Sequence, residues 1–107
     1  MIVHICPQEA WQAAQDEGEY RAASLVSEGF IHASRPEQVL QVANRFYRGT
    51  PDLVLLWIDP QQVKPPIRWE SVDGALFPHI YGPLNTDAVT AMTNLLPAED
   101  GQFNRLS

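Results

Sequence analysis

The sequence is poor in the residues that most small proteins use for covalent or metal reinforcement. It has a single cysteine, Cys6, so no intramolecular disulfide can form and no cysteine-built zinc site is available. A reducing compartment is the expected setting. Only one residue is lysine, Lys64, and the formal net charge is −6, which argues against a general nucleic-acid binder because affinity for a phosphate backbone depends on many cationic contacts. The other six basic residues are arginines, better suited to bidentate recognition of a phosphate or carboxylate. No apolar run approaches the roughly 20 residues of a membrane span, and no basic segment precedes a hydrophobic one at the start. The expectation is a cytoplasmic protein with no membrane partner. Walker and Rossmann glycine loops are missing as well, which disfavours the common nucleotide folds.

What remains is enough for one core. The chain has 107 residues, 45% of them hydrophobic and three of them Trp, which fits a single domain that folds without staples. Residues 1–5 read as a β-branched strand around His4, ended by Pro7. A helix follows, with Trp11 and Ala14 on its apolar stripe and Gly18 as C-cap. Tyr20-Arg21 reads as irregular, and 22–26 as a short helix before Gly29. Phe30 to Ala33 is expected to be a strand. Ser34-Arg35-Pro36-Glu37 has the S-x-x-E pattern of a capping box with proline in the first turn, predicting an amphipathic helix over 35–48.

Leu53 to Ile58 is apolar at every position, as in a strand buried on both faces. Asp59-Pro60 ends it. In Ile67-Arg68-Trp69-Glu70 a period of two sends Arg68 and Glu70 to one face, and Asp73-Gly74 is a turn signal. Phe77 to Leu84 reads as an extended segment between prolines. Residues 86–95 are expected to form a turn and then a last strand. Residues 97–107 are expected to be a loose C-terminal tail beyond a domain of residues 1–96. With helices in the first half and strands crowding the second, the fold class is α+β, a single domain with mostly antiparallel strands and flanking helices.

All three histidines, His4, His32 and His79, fall in or beside expected strands, where a rigid sheet can aim imidazoles at one site. Each is also explained as a half-buried residue bonded to backbone. A tris-histidine zinc site lacks the usual local ligand spacing, so no metal is expected. Ser34 sits at a helix start, where amides can receive an anion, or it only caps. Glu70 beside Arg68 can position a ribose hydroxyl or accept a proton, or form a surface ion pair. Trp69 and Tyr81 offer flat rings for stacking, or packing. Hydrolysis through Ser34, a histidine and Asp59 or Asp73 finds no G-x-S-x-G elbow in support.

Several longer motifs occur in a fixed order: G-E-Y-R, S-L, E-G-F-I-H-A-S, Q-V, A-N-R-F-Y-R-G, L-V-L-L-W-I-D-P and F-P-H-I-Y-G-P-L. Over residues 1–92 they resemble the bacterial domain-of-unknown-function 952 family. That family is similar in fold to the ADP-ribosyltransferases, a split β-sheet around a groove for NAD, and its chain order looks like that of the RNA 2′-phosphotransferases. The resemblance implies an ADP-ribosyltransferase-like domain that binds NAD as substrate, or a related nucleotide-like small molecule, and transfers ADP-ribose.

It implies His4, His32, Ser34, Arg68, His79 and Tyr81 as ligand-binding residues, with His32, Ser34 and Glu70 catalytic. His4 would hold a ribose or the nicotinamide, and His32 with Ser34 the nicotinamide ribose. His79 and Tyr81 mark the family without a counterpart in the transferases. The arginine-histidine pair that the phosphotransferases use for an RNA 2′-phosphate is missing near this N-terminus. Two other readings stand beside this one: a non-catalytic module that binds a small molecule or a protein in the same groove, and a metal-assisted hydrolase.

Overall fold

A computed structural model describes residues 1–106. Its elements run β1 (Ile2–Pro7), α1 (Gln8–Glu17), β2 (Glu19–Tyr20), α2 (Ser24–Ser27), β3 (Ile31–His32), α3 (Pro36–Phe46), β4 (Leu53–Ile58), β5 (Ile67–Val72), β6 (Ala75–Ile80), β7 (Leu84–Asn85) and β8 (Val89–Leu95). Short 3₁₀ turns at Pro60–Gln62 and Thr86–Ala88 precede β5 and β8. The fold is α+β. Two three-stranded antiparallel sheets, β1-β4-β8 and β3-β6-β5, are accompanied by the small pair β2-β7.

β4 is the central strand of its sheet, and its alternation divides the core in two. Val54, Leu56 and Ile58 join Ile2, Cys6, Trp11, Tyr20, Ile31 and Ile80 on the α1 side. Leu53 and Leu55 join Val3, Ile5, Val39, Ala43, Leu95 and Phe103 on the α3 side. An all-apolar strand is what burial on both faces requires. His4 pairs with Leu56 in this sheet and points to the α1 side.

The two sheets meet at a single rung. Val3 and Ser34 exchange both backbone hydrogen bonds, each at 2.8 Å. β3 is short for a chemical reason. Its register with β6 would place Ala33 opposite Pro78, and the Ala33 amide does donate to the Pro78 carbonyl at 3.2 Å. Proline has no amide to return the bond, so the chain turns away at Ser34 and joins β1 instead.

Four expectations need correction. Tyr20 belongs to the strand Glu19–Tyr20 rather than to an irregular piece, because its backbone finds β7, while Arg21 is irregular as expected. Ser34 does not cap α3: its backbone is committed to Val3, and the N-cap is Arg35, whose amide donates to Gln38 Oε1 at 3.0 Å. The helix ends at Phe46, two residues early. Residues 97–106 are not loose. Phe103 is 1% exposed, its amide and carbonyl both bond the Asn44 side chain, and the Gly49 amide donates to the Gly101 carbonyl; Ser107 lies outside the described residues. The Asp73-Gly74 turn formed as expected, with φ of 52° and 84° closing the β5-β6 hairpin in the manner of a two-residue loop. Among the described residues no helix is long and apolar enough to cross a membrane.

Candidate functional site

The solvent face of β3-β6-β5 carries the polar cluster. Alternation along β5 puts Arg68 and Glu70 on it, and register with β6 brings His79 opposite Arg68 and His32 opposite His79. Ile31, Ile67 and Ile80 take the other face, into the core. Tyr81 follows β6 directly and stays at the cluster because its amide donates to the Pro66 carbonyl at 2.8 Å.

Glu70 is the centre of the hydrogen bonding. Its Oε1 accepts from Tyr81 Oη at 2.5 Å and from His79 Nδ1 at 2.8 Å. The Tyr81 bond, then the His79 bond, hold the Glu70 carboxyl below its ordinary range, and the nearby Arg68 charge acts in the same direction. The same contact with Glu70 raises the Tyr81 phenol. Glu70 is thus an ionised carboxylate, its side chain 40% exposed, backed by a His79 side chain that is almost fully covered. The Arg68 guanidinium lies over the Tyr81 ring, 4.9 Å from its centroid.

Phe30 holds the rings together. It stacks on His79 with centroids 4.1 Å apart and an interplanar angle of 17°, and its edge contacts reach His32 at 4.8 Å and Tyr81 at 5.3 Å. His32 and His79 themselves lie 5.5 Å apart. His32 Nε2 also meets Glu28 Oε2 at 2.8 Å, and its side chain is 54% exposed. Gly29, at φ 90°, turns the chain after α2 so that Glu28 and His32 face each other.

His4 belongs to a different environment. Its Nδ1 donates to the His32 carbonyl, and its Nε2 accepts from Tyr20 Oη at 2.9 Å. Burial lowers its pKa to about 4 against the opposing backbone bond, so it is neutral. Next to it the Cys6 thiol is pushed up to about 12 by burial, and the Tyr20 phenol is raised for the same reason. The three histidines therefore form no tris-imidazole set: two share a face, and the third has both nitrogens spent beneath it. A crevice of about 40 Å³, room for a few waters, lies beside His4, His32 and Ser34. Trp69 is 47% exposed on the opposite face of β5 from Glu70 and takes no part in the cluster.

Sequence reasoning placed His4, His32, Ser34, Arg68, Glu70, His79 and Tyr81 in the site; the fold brings Arg68, Glu70, His32, His79 and Tyr81 together and buries His4 and Ser34 outside the cluster. It missed Phe30 and Glu28. Their signal was the run Glu28-Gly29-Phe30-Ile31-His32, in which a glycine reversal separates a carboxylate from a histidine four residues on.

Residues 5–92 match the family described as protein of unknown function, DUF952. The chain belongs to that family. The crystal structure of protein CC0527 from Caulobacter crescentus is similar over 96% of this chain and 92% of that one, with 35% identity and a TM-score of 0.88. The solution NMR structure of CC0527 gives 34% identity and a TM-score of 0.77, covering 94% and 89% of the two chains. No curated protein matches the sequence. The match to DUF952 runs from the second half of β1 to Met92 in β8 and contains every member of the polar cluster.

Proposed function

We propose that the solvent face of β3-β6-β5 binds an ADP-ribosyl compound, NAD or a close relative, and that Glu70 acts on its ribose. The single observation that carries this reading is the Glu70 carboxylate, fixed by Tyr81 and His79 on one oxygen and half open to solvent. A preoriented anion of this kind favours positive charge developing on a sugar as its leaving group departs. In the proposed reaction nicotinamide leaves with the bonding pair and the ribose gains oxocarbenium character. Glu70 opposes that charge and binds a ribose hydroxyl; His79 and Tyr81 position Glu70. Arg68 offers its cation to the diphosphate.

His32 takes the ribose side, and His4 acts from below by anchoring the His32 carbonyl; Ser34, buried with its backbone bonded to Val3, makes no contact with the ligand. The family's resemblance in fold to the ADP-ribosyltransferases, and in chain order to the RNA 2′-phosphotransferases, supports the same reading by analogy. The test is an NMR titration with NAD, ADP-ribose and nicotinamide that follows the ring signals of His32 and His79. Shifts in both with NAD and ADP-ribose are expected; spectra unchanged at millimolar ligand sink the reading.

A second reading, a non-catalytic protein-binding module, is favoured by the face of the β5-β6 hairpin opposite Glu70. Trp69 is half-exposed there, and Leu76, on the same face nearer the turn, is 51% exposed. Isolated exposed apolar residues are ordinary, so this reading ranks second. A Trp69→Ser, Leu76→Ser double variant that loses its cellular partner while keeping NAD binding would reverse the order.

A further inference from the structure

Glu28 and His32 form a second carboxylate-imidazole pair on the same face, and the reading above sets His32 beside the ribose but gives Glu28 no role. The contact is between Nε2 and Glu28 Oε2 at 2.8 Å. A carboxylate accepts only, so it selects the tautomer with the proton on Nε2 and leaves the Nδ1 lone pair as an acceptor. The ring is otherwise fixed. Phe30 packs edge-on at 4.8 Å, His79 at 5.5 Å, and the backbone is held by β6 on one side and by His4 through the His32 carbonyl on the other. Yet the imidazole stays half open to solvent, unlike His79 and His4.

Both members of this pair are so exposed that their bond contributes little to stability. An oriented, accessible imidazole with a carboxylate on its far nitrogen is the arrangement that takes a proton from a hydroxyl nucleophile.

We propose that His32, oriented by Glu28, is the general base for the acceptor, and that the acceptor is a hydroxyl, of water or an alcohol, rather than a guanidinium or amine. This rests on the ADP-ribosyl reading. The C1′–N bond breaks, and its electron pair leaves with nicotinamide. The acceptor oxygen forms the C1′–O bond, and its proton passes to His32 Nδ1. The imidazolium so formed keeps its Nε2–H on Glu28 and later loses the Nδ1 proton to solvent. Glu70 and His32 thereby divide the work: one stabilises the sugar cation, the other activates what attacks it. The two are linked through a single imidazole, His79, which bonds the first and touches the second.

The experiment follows nicotinamide release and product identity with NAD in water and in water containing methanol, for the wild type, Glu70→Gln, His32→Ala and Glu28→Gln. Glu70→Gln should abolish release. His32→Ala should slow transfer to both acceptors by about 100-fold or more, and free imidazole should restore turnover to this variant and not to wild type, an effect that a purely structural role would not give. Glu28→Gln, at an exposed position that folding tolerates, should lower kcat with KM unchanged and weaken the preference for the Nε2–H tautomer read by ¹⁵N NMR.

If wild type neither binds nor cleaves NAD, the ADP-ribosyl reading falls and takes the acceptor step with it. If NAD is cleaved but His32→Ala turns over at the wild-type rate, or is slowed without imidazole rescue, the base is overturned while the reading of Glu70 stands. A wild type that modifies arginine analogues and leaves methanol untouched overturns the hydroxyl acceptor.

Discussion

Tyr81 Oη and His79 Nδ1 converge on one oxygen of Glu70, at 2.5 and 2.8 Å, and neither bonds the other oxygen of this 40% exposed side chain. One carboxylate oxygen is thus structural and the other available. The division of labour explains why a residue on the open face of a sheet can still be held in a fixed orientation.

Removing the phenol should release that hold. In Tyr81→Phe the Glu70 carboxyl loses the largest cause of its lowered pKa, so its titration moves up toward the ordinary carboxylate range. The sign for stability follows: a carboxyl depressed on folding stabilises the protein above its unfolded pKa, and the contribution fades as pH falls through the folded value. Tyr81→Phe should flatten that acid-side loss. Carboxyl ¹³C NMR across the acid range measures the first effect, and urea unfolding at matched pH values the second.

His4 makes a second pH dependence in a different window. Its folded pKa of about 4 lies below the ordinary 6.5, so between those values the unfolded chain binds the extra proton. Stability is fully present above pH 6.5 and declines down to about pH 4, by roughly 3 kcal/mol in all. His4→Gln should remove this component. The check is the difference between wild-type and variant unfolding free energies at pH 7 and pH 4.5; equal differences at both would disprove it.

Phe30→Ala should loosen the ring cluster without dissolving the fold. Loss of the stacked contact with His79 costs about 1 kcal/mol beyond the loss of buried area, and the ring-current shift on the His79 protons should vanish. A His79 spectrum identical to wild type would show that Phe30 does not rest there in solution.

The C-terminal segment should prove structural. Phe103→Ala empties a buried aromatic site and is expected to cost about 3–5 kcal/mol. Ending the chain at Leu96 should be at least as damaging, since it also removes both bonds to Asn44. Thermal unfolding reads either change.

Much of this was legible in the residues themselves. The all-apolar Leu53–Ile58 strand, the period of two that aligned Arg68 with Glu70, and the Asp73-Gly74 hairpin are local patterns that packing had no reason to override. What escaped depended on distant partners. Glu19–Tyr20 becomes a strand only because β7 arrives 64 residues later, at Leu84. Ser34 looked like a cap because the capping box is a local pattern, whereas its backbone was claimed by Val3 across the molecule. Phe103 stood with only Leu106 in a polar stretch, where no periodicity could announce its burial. His4 was placed with the other histidines by residue type; only the parity of β1 against β4 sends its ring to the opposite side.

Pro78 carries a consequence for how the molecule can come apart. Because it cannot return the bond offered by Ala33, the two sheets share one rung instead of a continuous ladder, and the seam at Val3 and Ser34 is where a crack costs the fewest hydrogen bonds. Amide exchange at those two positions should then run ahead of exchange in β4, with His32 just beside the opening and His4 acting as its latch.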